Sequence, residues 1–233
     1  MADKLRIGFI IGAHEYDSYH MTEMLNAMED IQFYPMLLRN YIYNVGGCND
    51  PMDGFVFFSC EQKNDDPDET CGNGTAQPKD TIYNLGADGK GLVLLHHFLT
   101  SHLGCEAVDE AIGIPNRTFY YDSELQGDQH RPYDYKHDET MNIHVEPVDH
   151  PITRGITDFT LIDETYRLPV PSDREEILLT TDNELSCPAI MWTRKQQNSR
   201  EVCFCLGHDR EAYTNDSFRE LLHRSILWSC GKL

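Results

Sequence analysis

Apolar positions along this chain follow two different rhythms. In the first half, short unbroken apolar runs alternate with stretches in which apolar side chains recur every three or four residues. The run LRIGFII at 5–11 ends at Gly12 and predicts a buried strand. Met21, Met24, Leu25 and Met28 then fall at helical spacing, with Asp17 or Ser18 placed to cap the first turn. Further strands are predicted over 32–37, over 54–58 in DGFVFFSC and over 91–95 in GKGLVLLHH, with helical spacing at 81–85 and 99–112. In the second half the strand signals crowd together, at 141–146, 160–163, 177–181, 189–193 and 202–206. A closing amphipathic helix carries Phe218, Leu221, Leu222, Leu227 and Trp228 and starts after Asn215 or Asp216. Two stretches have no period: 61–80, rich in acid, Gly, Pro and Asn, reads as a surface loop or lid, and 115–138, aromatic and polar, reads as an insertion.

Alternating strands and helices predict an α/β fold with a mainly parallel sheet, helices on both faces and hairpin strands added later in the chain. No repeat and no change of composition marks a boundary, so a single domain over 1–233 is expected. Ligands gather outside the carboxyl ends of such strands. The residues at those ends are His14, Ser59 with Cys60, His96 with His97, Asp163 with Glu164, and His208 with Asp209. Imidazoles and carboxylates converging on one crevice make either an acid–base site or a metal site.

Charge and composition narrow the partners. With 19 Lys and Arg against 39 Asp and Glu, the formal charge is −20, so nucleic acid is not an expected partner. Apolar runs such as 55–58 and 92–95 fall far short of the roughly 20 residues of a membrane span, so neither is a membrane. The opening MADKLRIGFIIGAHE passes directly into a strand without an export signal, and none of the 8 cysteines is spaced C-x-x-C. A cytoplasmic protein with reduced thiols is expected, and Cys203 and Cys205, two apart on a strand, are assigned to the core. The sequence leaves a homo-oligomer open.

Five segments carry a family resemblance: DGFVFFSC, GKGLVLLHH, DHPITRGITDFTLIDETYRLP, PAIMWTR and VCFCLGHDREAYTNDSFRELLHRSILWSCG. Together they resemble the ThuA-like (trehalose utilisation) family, which implies the class I glutamine amidotransferase-like (flavodoxin-like) fold. The resemblance spans nearly the whole chain and is most specific at 149–166 and in the GHD segment with its closing helix. It implies an enzyme of carbohydrate metabolism acting on a trehalose-type disaccharide or its 3-keto form. In an amidotransferase an elbow presents a cysteine nucleophile and a late strand presents a histidine. Here His96 stands at the elbow and His208 matches the late histidine. An imidazole there cannot serve as the thiolate that attacks a glutamine amide, so a glutaminase is not expected, nor is a protease or deglycase of the same elbow type.

The expected chemistry is hydrolysis, elimination or isomerisation of a glycoside, assisted by a divalent metal. His96 and His208 are candidate ligands, His14 a third and His20 a reserve; zinc is favoured, and manganese, nickel or iron also suit nitrogen and oxygen donors. Without a metal, the same histidines would act as an acid–base pair. Adjacent strand residues point to opposite faces, so one of Asp163 and Glu164 enters the crevice, and Glu164 is preferred for its reach. Tyr166 shares that face, and with Glu164, His208 and Asp209 it completes the candidate catalytic set. Trp192 either stacks on a sugar or packs in the core, and Arg210 either binds an anionic group or pairs with Asp209 or Glu211. The competing reading is a non-catalytic ligand-binding or assembly protein on a degenerate amidotransferase fold.

Overall fold

The computed structural model describes residues 3–60, 85–119, 134–172 and 174–233. The loop or lid expected over 61–80, and nearly all of the helical spacing at 81–85, lie outside the described residues. In chain order the strands are β1 (Leu5–Ile11), β2 (Ile31–Leu37), β3 (Gly54–Phe57), β4 (Gly91–Leu95), β5 (Tyr135–Val145), β6 (Phe159–Tyr166), β7 (Glu176–Thr181), β8 (Ala189–Gln196) and β9 (Ser199–Phe204). They form one sheet in the order β2-β1-β3-β4-β9-β8-β7-β5-β6.

The expectation of a mainly parallel sheet is corrected. Pairs β1–β2, β1–β3, β3–β4 and β4–β9 are parallel, whereas β5–β6, β5–β7, β7–β8 and β8–β9 are antiparallel. Antiparallel neighbours need only a short turn, which the crowded strand signals of the second half permit. The two halves also differ in cover. Every residue of β3 and β4 is buried, as required when both faces are packed, while β5 and β6 alternate buried and exposed positions along much of their length.

The helices are α1 (Ser18–Asn26), α2 (Leu38–Ile42), α3 (Glu106–Ile112), α4 (Arg210–Tyr213) and α5 (Asp216–Ser229). Asp17 caps α1 by accepting from the His20 amide at 3.0 Å, and Asn215 caps α5 by accepting from Phe218 at 3.1 Å. Helix α5 buries Phe218, Leu221, Leu222, Ser225, Ile226 and Ser229 against the sheet. It lies so close that a Cβ on Gly91 would stand 2.7 Å from the Ser229 backbone, so only glycine fits at the start of β4. No helix among the described residues is long and apolar enough to cross a membrane.

Two further expectations change. The helix predicted over 99–112 is a 3-10 turn, His96–Thr100, followed by the shorter α3. Positive φ at His102 and Gly104 breaks the helical path in that stretch. The predicted insertion at 115–138 ends inside a strand, because β5 begins at Tyr135 and carries a bulge between Lys136 and Glu139, with Asp138 at φ 56°.

Candidate active site

His96 follows β4 directly and adopts φ 47°, a left-handed conformation that costs a non-glycine residue about 1–3 kcal/mol. The turn buries its ring completely and fixes both nitrogens. Nδ1 lies 2.6 Å from the Cys205 carbonyl, which only accepts, so Nδ1 carries a proton. In the neutral ring Nε2 therefore accepts from the Tyr166 hydroxyl at 2.8 Å. Glu164 Oε2 lies 3.3 Å from the same nitrogen. Burial opposes protonation of His96, but its contact with Glu164 and the charges of Asp163 and Glu164 outweigh burial and raise its pKa.

Strand alternation in β6 separates the two acids. Glu164 and Tyr166 face His96, while Asp163 accepts from the backbone amides of Gly207, His208 and Glu164 at 2.8, 3.0 and 2.8 Å. Asp163 thus holds the turn that presents His208. That turn needs Gly207, whose φ is 123° and whose added Cβ would meet the Phe218 ring at 3.1 Å. Burial raises the pKa of Asp163 despite those three donors. Burial pushes Glu164 the same way, yet the hydrogen bond and charge of His96 and the Tyr166 hydroxyl outweigh it and hold the carboxyl down at about 2.

Four more imidazoles join His96 in the crevice. The His97 ring lies 4.4 Å from that of His96 and 4.0 Å from that of His14, and His208 lies 4.8 Å from His137. His97 is buried, and neither of its nitrogens has a hydrogen-bond partner among the described residues; burial, reinforced by the surrounding imidazoles, keeps the ring neutral. Burial likewise lowers the pKa of His208. His137 Nδ1 stands 3.4 Å from Glu164 Oε1. His14, Cys60, His97, Thr100, His137, Glu164 and Tyr166 are among the residues that line a cavity of about 120 Å³.

Most expected site residues stand at or beside this cavity, with some roles redrawn. His14, His96 and His208 do not make one ligand set: His14 is exposed and its Nδ1 lies 2.6 Å from the Glu15 carbonyl. Two other groups bring their ligand atoms within 4.8 Å of one another, His96 with His97 and Glu164, and His137 with Glu164 and His208. His20 pairs with its cap Asp17 at 2.6 Å. Asp209 caps α4 by accepting from the Glu211 amide at 2.9 Å, and its carboxylate lies 3.6 Å from His208 Nδ1. Arg210 is exposed on α4. Trp192 is corrected to the core, being fully buried with its indole N–H donating to the Ile112 carbonyl at 2.9 Å, which leaves no face for a sugar. Cys203 and Cys205 are buried free thiols, as assigned.

Sequence reasoning places His97 at a strand end but gives it no role, and it misses His137. Strict alternation would send His97 away from His96, but the 3-10 turn brings both rings into one cavity. His137 falls in the stretch read as an insertion, where the bulge re-aims it.

The family described as trehalose utilisation, ThuA, matches residues 75–229. A ThuA-like protein from Parabacteroides merdae superposes with a TM-score of 0.71 at 15% identity, over 99% of this chain and 92% of that one. A second, from Bacteroides uniformis, gives 0.68 at 14% identity over 98% of this chain and 92% of its own. A protein described as a GMP synthase component from Thermoplasma acidophilum gives 0.55 at 12% identity over 99% and 96%, in support of an amidotransferase-like α/β fold. No curated protein matches the sequence.

Proposed function

The chain belongs to the ThuA (trehalose utilisation) family, and from that premise we propose that it is an enzyme of carbohydrate metabolism acting on a glycoside or its 3-keto form. One observation carries the reading: a histidine in a left-handed elbow, buried against a tyrosine hydroxyl and an ionised glutamate at the edge of a cavity. Backbone strain of this kind persists where the surroundings enforce it, and it gathers at reactive sites.

The division of labour follows from the electrostatics. Glu164 is the carboxylate placed to take a proton from the substrate; with its pKa held down at about 2 it is a weak base, and its charge also favours the proton on His96. His96, whose pKa is raised, is the acid, and its proton reaches a substrate oxygen through the Tyr166 hydroxyl at 2.8 Å. Cys205 fixes the tautomer throughout by accepting from Nδ1. Hydrolysis, elimination and isomerisation of a keto-glycoside all need an acid and a base within reach of the reacting bond. His97 lines the cavity wall with its ring. A bound divalent ion, whether zinc, manganese, nickel or iron, would add polarisation of a substrate oxygen.

The test is turnover of 3-keto-trehalose and simpler 3-keto-glycosides, with products followed by NMR. Wild type should convert at least one of them, and His96→Ala and Glu164→Gln should each lose about 100-fold or more while remaining folded. Binding without turnover across the whole panel would instead support a non-catalytic ligand-binding protein.

A further inference from the structure

Glu164 presents a different oxygen to each of two histidine groups: Oε2 to His96 at 3.3 Å and Oε1 to His137 at 3.4 Å. Both groups have the donor types of a divalent-cation site, and they differ in what their nitrogens already do. In the inner group His96 is committed on both sides, to the Cys205 carbonyl and to the Tyr166 hydroxyl. In the outer group His137 is half exposed and His208 is 21% exposed, so an ion there keeps an open position toward solvent and substrate.

Resting on the reading of this crevice as an acid–base site, we infer that His137, Glu164 and His208 form a divalent-cation site, with the fourth position left to a substrate oxygen. A tetrahedral ion with bonds of about 2 Å holds its donor atoms roughly 3.3 Å apart. The 3.4 Å between His137 Nδ1 and Glu164 Oε1 meets that spacing, and every ligand atom of the trio lies within 4.8 Å of the others. Asp209 Oδ2 lies 3.6 Å from His208 Nδ1, which places a carboxylate beside the ring. The bulge in β5 acquires a purpose as well, since it turns His137 toward β9's final turn.

Protein stripped with a chelator and dialysed is titrated with Zn²⁺ by calorimetry and with Co²⁺ by its visible absorption, and circular dichroism reports folding. One ion per chain is expected, weakened at least about tenfold in each of His137→Ala, Glu164→Gln and His208→Ala, and retained in His97→Phe. An ion lost with His97→Phe but kept in His137→Ala would place it in the inner group and overturn the inference. Absence of stoichiometric binding in folded wild type would overturn it too; chelator-resistant turnover of keto-glycosides in that same preparation would leave the acid–base reading standing.

Discussion

The parallel half of the sheet and its antiparallel extension supply the same crevice by different means. In the parallel half, reactive groups sit just beyond the strands, and turns aim them: His96 through a left-handed elbow and His208 through Gly207. In the antiparallel half they sit on the strands, and alternation aims them: Glu164 and Tyr166 inward, Asp163 toward the β9 turn. A turn can be rebuilt around a new residue, whereas alternation is fixed by register. Acid–base identity on β6 should therefore be the less tolerant of change.

The largest effects separate Glu164 from its neighbour. Glu164→Gln keeps the shape and removes the base, so kcat/KM on a keto-glycoside should fall about 100- to 10,000-fold in protein that still folds. Asp163→Ala should do the converse first. It strands the buried amides of Gly207, His208 and Glu164, and at about 1–3 kcal/mol for an unsatisfied buried group the loss should reach about 3 kcal/mol in urea unfolding. Exchanged phenotypes, with Glu164→Gln unstable and Asp163→Ala folded but dead, would reverse the roles assigned to the two faces.

How much of this is legible in the sequence follows the same divide. The parallel strands announce themselves as short apolar runs, and reading off their ends locates His14, His96 and His208, because a strand buried on both faces leaves no ambiguity about where it emerges. The preference for Glu164 over Asp163 rests on side-chain reach alone, since the pairing register that decides it involves β5, whose polar first half carries no apolar run to predict it. His137 is invisible because a bulge has no periodic signal. Trp192 is ambiguous because stacking platforms and core residues share one side chain; only its burial and its bond to the Ile112 carbonyl separate them.

A smaller effect sharpens the junction between the two halves. Tyr166 on β6 and His96 after β4 meet through one hydrogen bond, and removing it by Tyr166→Phe leaves the packing nearly intact. A bond worth about 1 kcal/mol should cost roughly five- to tenfold in kcat, with KM almost unchanged. An effect confined to KM would make the hydroxyl a substrate contact and remove it from the proton path.

The last prediction concerns the seam itself. Strand β9 runs parallel to β4 and antiparallel to β8, and Glu201 on it is wholly buried, paired in register with Leu92 on one side and Arg194 on the other. Its Oε1 is 3.9 Å from the Arg194 guanidinium, and its Oε2 has no hydrogen-bond partner among the described residues. Burial outweighs that arginine and pushes the carboxyl up to about 8. The folded protein thus holds a proton that the unfolded chain releases near its ordinary 4.5. The stability this contributes is complete below that value and is lost as pH rises toward about 8. Glu164 behaves oppositely: its depressed pKa contributes stability above 4.5 that disappears as pH falls toward about 2. Glu201→Gln should match wild type most closely below pH 4.5, where the glutamate is neutral in both the folded and the unfolded chain. At about pH 8.5 it should exceed wild type by at least about 1 kcal/mol, since each tenfold difference between the folded and unfolded ionisation constants is worth about 1.4 kcal/mol. Equal unfolding free energies at that higher pH would mean that Arg194 keeps Glu201 ionised, and that an ion pair, rather than a neutral acid, joins the two halves of the sheet.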